Sequence, residues 1–205
     1  KDLTKNINFN LNIVKKKIKC GTKSLVLLNQ YHSKKIYFIN KIPKHKINGD
    51  GMITNKKNIA LGILTADCAP VFIYDKKLKI IGAIHSGWKG AYKKIVINLV
   101  LKLKKIGSKS RNLIAVIGPC ISQKNYEVKK EFKNKFLRKS LKNTKFFIET
   151  KNKKKIFSIG FIANMSKPNF ITLLIQFSKV SLAAVKSISC SLITLILLSR
   201  FPLLQ

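Results

Sequence analysis

Apolar and polar positions follow two periods along the first 155 residues, and the alternation between them predicts the elements. Residues 3–19 set Leu, Ile and Val among Lys at helical spacing and predict an amphipathic helix, which Gly21 stops. Ser24–Leu28 predicts a buried strand leading to His32. Lys34–Asn40 alternates weakly and is expected to pair with it, ahead of a loop over Pro43–Asn48. Gly49-Asp-Gly-Met-Ile-Thr54 predicts a turn feeding a short strand, and Lys56–Asn58 a further turn. Ile59–Thr65 is a nearly continuous apolar run, as in a strand covered on both faces. Pro70–Tyr74, Asp75–Lys77 and Leu78–His85 predict strand, turn and strand, which is a hairpin. Ala91–Lys105 has helical spacing and ends near Gly107. Leu113–Ile117 predicts a strand, Tyr126–Leu141 a charged helix and Lys145–Ile148 a short strand.

Strands alternating with helices predict a layered α/β arrangement in a single domain, and 205 residues suffice for a sizeable core. The pattern breaks after Lys155. Residues 156–205 contain no Asp or Glu and only four of the 42 basic residues, with Ser, Leu and Ile dominating from Ile171. The expected organisation is a domain over 1–155 and an atypical apolar tail over 156–205. Translation in a shifted frame is the preferred explanation of the tail, and a native apolar tail the second. The longest stretch without a charge, Ser187–Ser199, falls short of the roughly 20 residues that a membrane span requires, so no membrane partner is expected.

Charge adds less than its size suggests. A net charge of +35 invites a nucleic-acid partner. However, only three of the 42 basic residues are Arg, the Lys are spread rather than gathered in a stripe, and no aromatic motif interleaves with them. Lys, Asn, Ile and Phe are all abundant, as A/T-rich codons would give. No specific nucleic-acid partner is therefore expected, and a Lys-rich polyanion-binding protein is the least favoured reading. The four cysteines show no CxxC pairing and read as reduced thiols in a cytoplasmic protein. The first residues are polar, so no signal peptide is expected, and without an initiator Met the start is expected to be a fragment boundary.

The candidate chemistry rests on His32, Cys68 and His85, each at the mouth of an expected strand. A thiolate with two imidazoles is a typical zinc set, and three protein ligands leave a fourth position for water or substrate. Each has an ordinary alternative: a buried inert Cys68, a core imidazole at His85, an exposed loop residue at His32. The third histidine, His45, lies in a Lys-rich loop and reads as solvent-exposed.

The blocks GDGMITN, GILTADCAPVFIYD, AIHSGWKGA and IGPCISQKNYEV resemble the polyphenol oxidase or laccase-domain family, whose members are now often described as purine nucleoside phosphorylases. The resemblance covers residues 1–155 with its motifs in order. It implies an α/β (α+β) layered sandwich with mixed β-sheets flanked by helices, and a Zn2+ ion, with copper as the alternative metal, on His32, Cys68 and His85. The implied activity is phosphorolysis of adenosine, guanosine or inosine and methylthioadenosine, with adenosine deamination beside it. Purine nucleoside and phosphate are thus the expected partners. The oligomeric state is left open. Two departures stand out: relatives begin with a strand-rich segment before the first helix, and they end with a Phe-Ser-Tyr-Arg-Arg-like motif not found after Lys155.

Around the ligands, Cys68, His85 and Asp67 are the catalytic candidates. Asp67 either orients a ligand or contacts substrate, or else caps the following turn. Lys89 is the phosphate candidate, since Ser86–Gly90 leads into a helix start; the family usually carries Arg there, so the bidentate fork is lost while the charge is kept. Trp88 and Cys120 are pocket candidates, although plain core packing is the favoured reading of Trp88. Tyr126 and Glu127 border the pocket or cap a helix. A rival enzyme reading makes Cys68 and His85 a cysteine-hydrolase dyad, an amidase acting on misincorporated residues of peptidoglycan precursors.

Overall fold

The computed structural model describes residues 4–17, 25–149 and 157–159. Cys20, Gly21, Ser24, Cys190 and the tail from residue 160 lie outside the described residues. Helix α1 (Thr4–Lys17) falls where helical spacing predicts it and leaves Ile7 and Phe9 exposed. Strand β1 (Leu25–Val26) pairs in parallel with β4 (Ala60–Leu61). Strand β2 (Ile36–Phe38) pairs in parallel with β3 (Gly51–Thr54), and not with the strand before it as the sequence pattern suggests. The reason lies between them. Tyr31, His32 and Ser33 all donate their backbone amides to Asp50, and His32 takes a left-handed φ of 62°. The chain closes around a carboxylate instead of returning as a hairpin.

Strands β5 (Ala69–Asp75) and β6 (Ile80–Ser86) form the expected hairpin, its turn held by Asp75 Oδ1, which accepts from the amides of Lys77 and Leu78. With β7 (Leu113–Ile117) they complete a five-stranded mixed sheet in the order β2-β3-β6-β5-β7. Side-chain alternation gives this sheet two different faces. Ile53, Val71, Ile73 and Ile84 point to a core closed by Ile95, Leu99, Val100 and Leu103. Met52, Phe72 and Ala83 point the other way, against Val26, Leu28, Ile59, Leu61 and Ile63.

The apolar run at 59–65 is buried as expected, but only two of its residues enter a ladder. Beyond them the side chain of Gln30 takes over the role of a neighbouring strand, accepting from Leu64 N at 2.8 Å and donating to Leu64 O at 2.6 Å. The helix expected over Ala91–Lys105 is two helices, α2 (Trp88–Tyr92) and α3 (Ile95–Lys105), separated by Lys94 at φ 60°. Each serves a different core. Buried α3 residues cover the sheet, whereas Trp88 and Tyr92 join a third cluster with Phe132, Phe136 and Phe147.

The charged segment expected as one helix over Tyr126–Leu141 divides into β8 (Glu127–Val128) and α4 (Lys130–Leu137). A small antiparallel sheet joins β8 to β9 (Phe147–Glu149) through β10 (Phe157–Ile159). Strand β10 follows Lys155, where composition changes. Among the described residues no helix is long and apolar enough to cross a membrane.

Candidate metal centre

All three ligand candidates arrive at one end of the five-stranded sheet. Cys68 immediately precedes β5 and His85 is the penultimate residue of β6; the register sets Pro70 opposite His85 and Ala69 opposite Ser86. His85 shares the parity of Ala83 and leaves the sheet on the face away from α3. His32 comes from the turn before β2. One donor atom from each of His32, Cys68 and His85 lies within 4.8 Å of the others, and His32 Nε2 stands 3.7 Å from Cys68 Sγ. Zinc bonds of about 2.0 Å to nitrogen and about 2.3 Å to sulfur at a tetrahedral angle would separate such atoms by about 3.5 Å. The two imidazoles meet edge to face, with centroids 4.8 Å apart. The donor set suits a zinc-type ion and the His32–Cys68 distance matches that span, whereas a donor pair as wide as 4.8 Å would have to draw together on binding.

Two residues that the sequence pattern did not single out shape this centre. Asp50 is fully buried, and its Oδ1 lies 2.8 Å from His85 Nδ1 and accepts from His32 N at 3.0 Å. Its Oδ2 accepts from Ser33 N at 2.6 Å and Tyr31 N at 3.3 Å. Burial works to raise the Asp50 pKa, but the hydrogen bonds from His85, Ser33 and His32 outweigh it and hold the carboxyl below its ordinary value. A signal for it exists in the chain, since Asp50 is one of only seven acidic residues and stands between two glycines. Gly87 is the other. A Cβ there would come within 2.6 Å of Cys68 Sγ and 2.9 Å of His32 Cδ2, so only glycine lets the strand end pass beneath the ligands.

The electrostatics favour a neutral Cys68 and a neutral His32 when no ion is present. The Cys68 thiol is pushed up by burial first, then by Asp67, Asp50 and Cys120. His32 is drawn below its ordinary value by burial and by His85; Asp50 opposes this, and Lys89 and Lys93 add to it. A divalent cation reverses the first effect, since a coordinating thiol is deprotonated outright.

The remaining candidates surround the centre at different distances from solvent. Asp67 and Lys89 are exposed, while Trp88 and Cys120 are half-buried. The charge of Asp67 is felt at both Cys68 and Tyr126, and its carbonyl accepts from Ile121 N at 3.0 Å. Trp88 packs edge-on against Phe132 at 5.1 Å, beneath Lys135 and Lys89. Core packing thus accounts for Trp88. Lys93 donates to the carbonyl of His32 at 3.1 Å, a cation that no sequence motif marks. Half-buried Tyr126 has its phenol pushed up by burial and by Cys68, which brings it to the centre's border. His45 is exposed, as expected, and Glu127 is exposed in β8.

The layered α+β fold thus gathers one thiol and two imidazoles at a strand mouth, a group that could hold a metal ion. Family comparison is specific: a model described as multi-copper polyphenol oxidoreductase laccase matches residues 1–167, and the chain belongs to that family. Curated relatives are named purine nucleoside phosphorylase. One from Rickettsia conorii is 44% identical over 126 residues, spanning 62% of this chain and 52% of its own. One from Borreliella burgdorferi is 39% identical over 148 residues, spanning 69% and 60%. The chain thus covers between half and two thirds of these relatives. Among solved structures, the hypothetical protein YfiH of Bacillus licheniformis superposes with a TM-score of 0.70 at 25% identity, covering 78% of this chain and 64% of that one. A Neisseria meningitidis protein gives 0.67 at 22%, covering 77% and 62%, a likeness of fold.

Proposed function

We propose that the protein is a cytoplasmic zinc-dependent purine nucleoside phosphorylase with a companion adenosine deaminase activity. The observation that carries this reading is the convergence of His32, Cys68 and His85 within 4.8 Å, in a family whose curated relatives are named for that phosphorolysis. Zinc on this set would supply a Lewis acid and lower the pKa of a coordinated water toward neutrality. His85, with Nδ1 engaged by Asp50, keeps Nε2 for the ion, and Cys68 gives up its proton on ligation.

In phosphorolysis a phosphate oxygen forms the new bond to C1′ of the ribose while the bond from C1′ to the purine nitrogen breaks. The electron pair leaves with the base, which takes up a proton. Lys89 and Lys93 put two cations beside His32 and suit an incoming phosphate. In deamination a water oxygen adds at C6 of adenosine and ammonia departs.

The test is direct. Cys68→Ala should lose zinc by elemental analysis and lose phosphate-dependent conversion of inosine to hypoxanthine and ribose 1-phosphate by chromatography. Full turnover in a metal-free variant would sink the zinc mechanism. An acyl adduct on Cys68 with a peptidoglycan-type amide would point instead to the hydrolase dyad. Salt-sensitive nucleic-acid binding that survives loss of the ligands would point to a polyanion binder.

A further inference from the structure

We propose that Asp50 is the positioning residue of the metal centre. One carboxylate fixes the ring of His85 and the backbone of His32 together, so that His85 offers Nε2 and the turn carrying His32 is set in place before any ion arrives. This rests on the metal reading above and adds a residue to it.

An ionised carboxylate presents about four lone-pair sites and no donor. Asp50 uses four: Oδ1 faces His32 N and His85 Nδ1, while Oδ2 faces Ser33 N and Tyr31 N. A group that only accepts forces Nδ1 of His85 to carry the proton, which leaves Nε2 as the lone pair. Three successive amides curled around one anion form a nest, and a left-handed residue within it is what such a nest needs. His32 is that residue, at φ 62°. The strain of holding a non-glycine residue there is offset by the hydrogen bonds to the buried charge.

Asp50 is itself rigidly held. Its amide donates to Lys35 O at 3.1 Å and its carbonyl accepts from His85 N at 2.8 Å, so the residue leading into β2 and strand β6 grip it from both sides. The carboxylate therefore transmits the position of the sheet to ligands from two separate segments. Partners of this kind on a ligating histidine fix its tautomer and its orientation.

The experiment uses the full chain. In the ion-free protein, nitrogen NMR shifts of the His85 imidazole should report a proton on Nδ1 and a bare Nε2. In Asp50→Asn, zinc affinity measured against a competing chelator should fall about 10- to 100-fold, and His85 should lose its single tautomer. Thr54→Val serves as the control, because it removes a buried hydrogen bond to Ile39 O from the strand that follows Asp50 without touching a ligand. It should lower the melting temperature and leave zinc affinity unchanged. The proposal fails if Asp50→Asn binds zinc as wild type does, if Thr54→Val weakens zinc equally, or if wild-type His85 carries its proton on Nε2. The tautomer measurement decides even if Asp50→Asn does not fold. Should wild type bind no zinc at all, the metal reading fails, while the His85 tautomer still judges Asp50.

Discussion

The two faces of the five-stranded sheet use the same strands for different ends. Toward α3 the packing is apolar along the middle of the sheet, where Ile53, Val71, Ile73 and Ile84 meet Ile95, Leu99 and Leu103, and polar residues, buried Asp75 and Ser86, come only at the strand ends. On the opposite face the apolar packing of Met52, Phe72 and Ala83 gives way at the strand mouth to His85, with Asp50 on the adjoining loop. Alternation along a strand thus separates burial from chemistry by a single residue: Ile84 packs against the core while His85 reaches the centre. A site built this way draws its rigidity from a face that it does not occupy.

If the faces are independent, each can be damaged alone. The largest effect is expected at Leu99, which is fully buried beneath the sheet. Leu99→Ala should cost about 2–5 kcal/mol in urea unfolding, with zinc affinity unchanged while the protein remains folded. A parallel loss of zinc would show that the centre depends on the α3 face after all. Gly87→Ala is the converse. The added Cβ must displace Cys68 Sγ, so zinc affinity should fall tenfold or more, about 1.4 kcal/mol, with little change in the unfolding midpoint. Collapse of the fold in that variant would break the comparison.

Lys89→Ala should raise the KM for phosphate severalfold with kcat largely kept, and Lys89→Arg should restore or improve it by returning the planar fork. A fall in kcat alone would place Lys89 in another role. The smallest effect concerns pH. His32 titrates below its ordinary value of 6.5 in the fold, so the unfolded chain takes up its proton first as pH falls. Between the two values the unfolded state binds more protons, and ion-free stability should decline as pH drops through that window. Exposure of this half-buried ring keeps the decline shallow. Asp50, held below its ordinary value, adds stability that disappears only as pH falls through its lowered folded pKa. Urea midpoints across the acid range would show the two declines in that order.

Much of the centre was legible because its residues sit in short, strongly patterned stretches. Strands β5 and β6 are long apolar runs joined by an Asp-Lys-Lys turn, so the hairpin and the placement of Cys68 and His85 at its open end follow from local rules. The helix at 3–19 was legible for the same reason. Misreadings fell where a side chain replaced a backbone partner or one segment served two cores. Gln30 stands in for a strand beside Leu64, and α2 separates from α3 because Trp88 and Ile95 belong to different clusters. Hydrophobic periodicity carries no signal for either.

The sequence by itself determined the kinds of chemistry available: one thiol, two imidazoles, the apolar strands that carry two of them and the motifs that tie them to a family. Only the tertiary structure decided that His32, from a turn distant in the chain, meets Cys68 at 3.7 Å, and that a buried carboxylate holds both histidines. The physical reason is the reach of each interaction. Side-chain alternation and turn propensity act over a few residues and can be read along the chain. The Asp50 contacts join segments 17 to 35 positions apart, and no local pattern records which amides a buried charge will gather.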